Sequence, residues 1–154
     1  MLPGMNDSTP ITPLSADTVA NLRVAHLQMV QGVIARMSGY SASVKTFAVT
    51  IVAGLLAYYS QRPDDRVYLF AVGSVIVLGL LDTHYLRCEK GFRKLFDDLR
   101  AEPITANTDF RIDSALTREF SVSSVARSWS VSAFYLPLLL GLAVLFLVLK
   151  VWPV

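Results

Sequence analysis

VYLFAVGSVIVLGLLDTHYLRCEKGFRKLFDDLR, residues 67–100, changes character at Asp82 without any break in its helical pattern. Residues 67–81 are apolar throughout, whereas apolar and charged side chains alternate at helical spacing from Asp82 onward. At about 100° per residue, one arc of this second part holds Tyr85, Cys88, Phe92, Leu95, Phe96 and Leu99, and most of the charged side chains lie opposite. The stretch therefore predicts a helix that leaves a membrane and continues into water as an amphipathic rod.

The composition of the whole chain favours an all-α integral membrane protein. Apolar residues make up 53% of the 154 positions and charged residues only 17%. A single cysteine excludes an intramolecular disulfide, and two histidines leave little material for a metal site. The sequence contains no glycine-rich phosphate loop and no known catalytic motif. We therefore predict no catalytic, cofactor-binding or metal site.

The segments on either side of the rod complete a three-span architecture. The turn at residues 61–66 is so short that the first two spans must form an antiparallel hairpin. Trp129 and Trp152 bracket the last span as interfacial anchors. We predict the following segments in chain order: a flexible tail at 1–14, an amphipathic cytoplasmic helix at 15–40, a span at 41–60, an external turn at 61–66, a span at 67–86, the cytoplasmic rod at 87–101, a cytoplasmic loop with a short helix at 102–130, and a span at 131–150.

The helix predicted before the first span has an apolar face along most of its length. Either Ser15 or Asp17 can cap its start, and we expect it to end near Gly39. We expect this face to pack on the rod or to lie at the membrane interface. His26 falls inside the face, where it is either a packed core histidine or a pH-responsive group.

Lysine and arginine residues are distributed unevenly about the three predicted spans. Eleven of the fourteen lie before the first span or between the second and third, and three lie on the opposite side. Short loops rich in lysine and arginine stay in the cytoplasm. The pattern therefore predicts a cytoplasmic N-terminus and rod, with the C-terminus outside.

Asp82 is the one position in the sequence that invites a chemical role. It lies where the apolar segment meets the polar interface, and a carboxylate at that depth is costly unless it is paired or hydrated. One interpretation is a polar clasp between helices, with Lys45 or Arg87 as the partner. The other is a ring of carboxylates at the inner mouth of an oligomeric channel, which would favour cations. Asp82 and His84 point about 200° apart on a helix, so a shared metal ion is not expected.

Two stretches carry a resemblance to a known family. The first contains Arg36, Met37 and Lys45-Thr-Phe-Ala-Val-Thr50, and the second runs from Asp82-Thr-His-Tyr85-Leu86 through Glu89 to Phe92-Arg93-Lys-Leu95-Phe96. Together they resemble a widespread family of small bacterial inner-membrane proteins, although Phe47 stands where that pattern has tryptophan. The layout is also similar, more distantly, to that of RipA-type octameric membrane proteins. The resemblance implies a homo-oligomer and singles out Arg36, Lys45, Asp82, Tyr85, Glu89 and Arg93.

These observations lead to one preferred function and one alternative. We expect a non-enzymatic oligomeric scaffold of the bacterial inner membrane, contacting the lipid bilayer, copies of itself and a cytoplasmic protein partner, but no nucleic acid. The alternative is an oligomeric pore or channel that acts in stress or defence. In either case Phe92 and Phe96 are candidate assembly residues, because a rod surrounded by water has no use for them on one side.

Overall fold

The computed structural model describes residues 15–62, 64–103 and 119–151 of the chain. Within these ranges the chain forms four helices and no strand, which confirms the all-α class. The helices are α1 (Ala16–Gln61), α2 (Asp65–Ala101), α3 (Val122–Ala126) and α4 (Trp129–Val151). The predicted tail at 1–14 and most of the predicted loop after the rod lie outside the described residues.

The first helix is longer than we expected. α1 runs without interruption through Gly39, where we predicted an end, and joins the amphipathic segment to the first apolar segment. A glycine inside a helix costs only about 1 kcal/mol relative to alanine, and contacts with α2 on both sides of Gly39 offset that cost. Ser15, rather than Asp17, caps the start, because its side chain accepts a hydrogen bond from the Thr18 amide.

The second helix has the predicted continuity. α2 begins at Asp65, after the Asp64 side chain caps it by accepting a hydrogen bond from the Arg66 amide 2.9 Å away. It then runs through Asp82 to Ala101 without a break. α1 and α2 pack along their lengths as an antiparallel hairpin. We call residues 42–60 with 65–81 the apolar half of this hairpin, and residues 16–40 with 83–101 the amphipathic half.

Each half of the hairpin has its own hydrophobic core. In the apolar half, seven buried side chains from three helices meet: Ala48, Val52, Ala71, Val75, Val131, Tyr135 and Leu142. In the amphipathic half, Val30 of α1 packs with Leu95 and Leu99 of α2, and the partly buried side chains around them are Leu27, Ile34, Phe92 and Phe96. The apolar arc of the rod therefore packs against the N-terminal helix, which is one of the two placements considered for that helix.

The remaining helices lie beside α2. α3 has only five residues and lies within the segment 102–130, for which a loop with a short helix was predicted. Val125 of α3 is fully buried. α4 packs on α2 and contains Pro137 in its interior. Three helices (α1, α2 and the part of α4 up to Val148) are long and apolar enough to cross a membrane.

Candidate functional site

A buried ion pair lies at the junction between the two halves of the hairpin. The Asp82 side chain has no solvent exposure, and Lys45 Nζ lies 2.6 Å from its Oδ2 atom. Ser41 donates a hydrogen bond from its hydroxyl to the other carboxylate oxygen, Oδ1. Lys45 Nζ also donates to Ser41 Oγ at 2.9 Å. Both carboxylate oxygens thus have partners from α1 of the same chain, and we call these three residues the clasp.

The spacing of the α1 residues makes the clasp possible. Ser41 and Lys45 are four positions apart, so both side chains lie on the same face of the helix, one turn from each other. Burial of an unpaired carboxylate costs several kcal/mol, and an ion pair offsets this cost only when hydrogen bonds satisfy the remaining lone pairs. The Ser41 hydroxyl supplies that additional bond. Of the two partners considered for a clasp, Lys45 is the one that the structure places on Asp82, and the contribution of Ser41 was not foreseen.

α4 reaches the clasp through Tyr135. Its hydroxyl lies 3.5 Å from the Leu78 carbonyl oxygen, one helical turn before Asp82, and it also interacts with the Asp82 carboxylate. The Tyr135 ring packs in the core of the apolar half. The neighbouring Thr83 is buried too, and its hydroxyl donates to the Gly79 carbonyl oxygen at 2.7 Å. Asp82, on α2, is therefore bonded to α1 and interacts with Tyr135 of α4.

Glu89 and Arg93 form a second ion pair, within α2. Two nitrogens of the Arg93 guanidinium, Nη2 and Nε, lie 2.7 and 2.8 Å from Glu89 Oε1. The Glu89 side chain is buried, whereas that of Arg93 is mostly exposed. Arg93 also borders a groove of about 300 Å³ with Gln31, Phe96 and Asp97. The two residues are four positions apart, so both side chains lie on the same face of α2.

The other residues singled out by the resemblance do not join the clasp. The Tyr85 ring lies against Tyr40 of α1, with ring centroids 5.4 Å apart and planes tilted by 44°. Arg36 is exposed on α1. Phe92 and Phe96 are only partly buried, and Leu95, Leu99 and Val30 are the more deeply buried members of their cluster. Sequence spacing identified the arc correctly but not which of its side chains is most enclosed.

A buried arginine lies at the end of the hairpin opposite its turn, and its partner was not predicted from the sequence. Arg23 of α1 donates a hydrogen bond from Nη2 to the carbonyl oxygen of Glu102, 3.2 Å away, and its Nη1 lies 4.0 Å from the Glu102 carboxylate. Glu102 is the residue that caps the C-terminus of α2. A cation near this negative end of the helix dipole is stabilising. His26, one turn further along α1, is fully buried, as expected for a packed histidine.

One exposed contact ties the segment before α3 to the rod. Lys94 of α2 forms an ion pair with Glu119. The hydrogen bond to Glu119 raises the pKa of Lys94. Both side chains are well exposed, so solvent screens the pair and it contributes little to stability.

Within the described residues, no group of three or more histidine, cysteine, aspartate or glutamate side chains could hold a metal ion. His84 is exposed whereas Asp82 is fully enclosed, in agreement with their opposite directions on the helix. No protein family, curated protein or solved structure matches this chain. The resemblance drawn from the two sequence stretches therefore remains a prediction.

Proposed function

We propose that the protein is an oligomeric scaffold of the bacterial inner membrane, with the apolar half of the hairpin and α4 in the bilayer. The lysine and arginine asymmetry supports an orientation in which the N-terminus and the amphipathic half are cytoplasmic and the C-terminus is outside. The amphipathic half then rises about 30 Å from the membrane, since twenty helical residues span that length. It presents a two-helix surface to a cytoplasmic protein partner.

The observation that carries this proposal is the enclosure of Asp82. A carboxylate ring at a channel mouth needs oxygens that face an aqueous passage. Asp82 has no exposed surface, and its two oxygens are bound by Ser41 and Lys45 of its own chain. This arrangement favours a structural clasp over a site for passing cations, and therefore a scaffold over the pore alternative.

Reconstitution into liposomes tests the proposal. A scaffold gives ion flux no greater than lipid alone, together with a native mass in detergent that is a multiple of the 17.0 kDa chain. Asp82→Asn then lowers stability and leaves flux at background. A pore gives a cation flux with the wild-type protein, and Asp82→Asn changes that flux while assembly persists. Such a cation flux, present with the wild-type protein and changed by Asp82→Asn, contradicts the scaffold proposal.

A further inference from the structure

One side of α1 carries a stripe of exposed large apolar side chains along nearly its whole length. Six of them fall within a sector of about 40° when placed at about 100° per residue. Each is between 40% and 59% exposed, and together we call them the α1 stripe: Leu22, Met29, Tyr40, Phe47, Ile51 and Tyr58. Three lie in the amphipathic half and three in the apolar half, so the stripe crosses the level of the clasp.

α2 extends the same face within the apolar half. An open groove of about 620 Å³ is lined by Ile51 of α1 and, on α2, by the exposed side chains of Phe70 and Val77. Gly73 and Ser74 also line the groove, and a methyl group added at Gly73 would meet nothing within 4 Å. Within the described residues the lining comes from α1 and α2, because α4 packs on another side of α2.

The length of the stripe indicates what covers it. From Leu22 to Tyr58 the helix rises about 54 Å, whereas the hydrocarbon core of a bilayer is about 30 Å thick. Lipid tails can cover the part near Ile51 and the groove, but they do not reach Leu22 or Met29 in the cytoplasmic half. Exposed apolar patches mark contacts with protein or with membrane, so the part of the stripe beyond the hydrocarbon core points to a protein. A molecule that covers the whole stripe must therefore be apolar both at membrane depth and in the cytoplasmic half.

We propose that this face, the α1 stripe with the adjoining groove, is where a second copy of the chain docks in parallel orientation. A second copy inserted in the same direction has its own apolar and amphipathic halves at the same heights, so it matches the stripe over its full length. Small residues such as Gly73 and Ser74 let a neighbouring helix approach closely in a membrane. This inference rests on the proposed oligomeric scaffold and names the surface through which it assembles.

Photo-crosslinking in native membranes tests this surface by comparing positions on the stripe with control positions of similar exposure. The single natural cysteine, Cys88, is replaced by alanine, and one new cysteine is introduced on the stripe at Met29 or Ile51. The controls are Val24, 53% exposed against 55% for Met29, and Val49, 48% exposed against 40% for Ile51. Each control lies about 140–160° around the helix from its partner. All four are labelled with benzophenone maleimide and irradiated.

We expect severalfold more adduct at twice the chain mass from the two stripe positions than from the two controls. Equal or greater yield from the controls overturns the inference. Lipid adducts at Ile51 with no protein adduct at Met29 also overturn it, because the face is then covered by lipid. A monomeric native mass of the wild-type protein refutes the scaffold proposal itself. An oligomeric mass with either unfavourable crosslinking result refutes only the choice of surface.

A second measurement leaves Cys88 in place. Gly73→Leu places a larger side chain in the groove, at a position where an added Cβ meets nothing within 4 Å. Gly141→Leu on α4 is its control, since a Cβ there also meets nothing within 4 Å. We expect Gly73→Leu to shift the native mass toward the monomer and Gly141→Leu to leave it unchanged. An unchanged oligomer in Gly73→Leu, or an equal loss in both variants, contradicts docking at the groove.

Discussion

Removal of either charged partner of the clasp should destabilise the protein, but by unequal amounts. Lys45→Met leaves the fully enclosed Asp82 carboxylate with the Ser41 hydroxyl as its remaining α1 partner. Breaking a buried ion pair in this way costs about 3–5 kcal/mol. Asp82→Asn keeps an oxygen that can accept from Ser41 and leaves an ammonium whose side chain is 20% exposed. That ammonium can move toward water, so we expect a smaller cost of about 1–3 kcal/mol.

The double variant separates a clasp from two independent effects. Lys45→Met with Asp82→Leu removes both charges and keeps apolar volume at the junction. Replacement of a buried pair by apolar side chains is often neutral or stabilising. We therefore expect the double variant to be more stable than Lys45→Met alone. The interaction energy follows from a double-mutant cycle with Asp82→Leu as the other single variant.

The assay is unfolding in detergent micelles by titration with sodium dodecyl sulfate, followed by far-ultraviolet circular dichroism. The midpoint of the unfolding transition, measured for each variant, gives the order of stability. A Lys45→Met variant as stable as the wild-type protein would refute the clasp. A double variant whose loss of stability equals the sum of the losses in the two single variants would also refute it, because the two side chains then do not interact.

Three further predictions concern the rest of the fold. Reporter fusions at Gln61 and after the C-terminal residue should both report the outside, and a cytoplasmic signal at either contradicts the orientation. Leu99→Ala in the core of the amphipathic half should cost about 2–5 kcal/mol in the same unfolding assay, whereas Leu140→Ala, at an exposed position on α4, should cost far less. Arg23→Gln should increase amide hydrogen exchange in the last turn of α2 and leave its middle protected, and unchanged exchange there argues against the cap.

The features that the sequence predicted are those set by local periodicity. The change at Asp82 lies within one helix, and residues 85–99 place the apolar arc of the rod with no knowledge of its neighbour. The pairing of Asp82 with Lys45 was also predictable, because a buried carboxylate needs a cation and the adjacent span offers one at that level. Glu89 and Arg93 have the one-turn spacing that permits an ion pair within a helix.

The features that were missed depend on contacts between distant parts of the chain. Gly39 suggested a helix end, but packing on both sides of it carries α1 through. Ser41 is an ordinary polar residue in the sequence, and only the position of Asp82 on the facing helix makes it a partner. Arg23 looks like a solvated charge until the C-terminus of α2 lies beside it, seventy-nine positions later in the chain.

The continuity of α1 has a mechanical consequence. A helix of 46 residues is about 69 Å long and contains no joint at the level where the two halves of the hairpin meet. α1 also packs on α2 on both sides of the clasp, because each half of the hairpin has its own core. The two halves are therefore joined into one stiff body. We expect a force on the N-terminal end of α1 to move both halves together rather than to bend the helix between them.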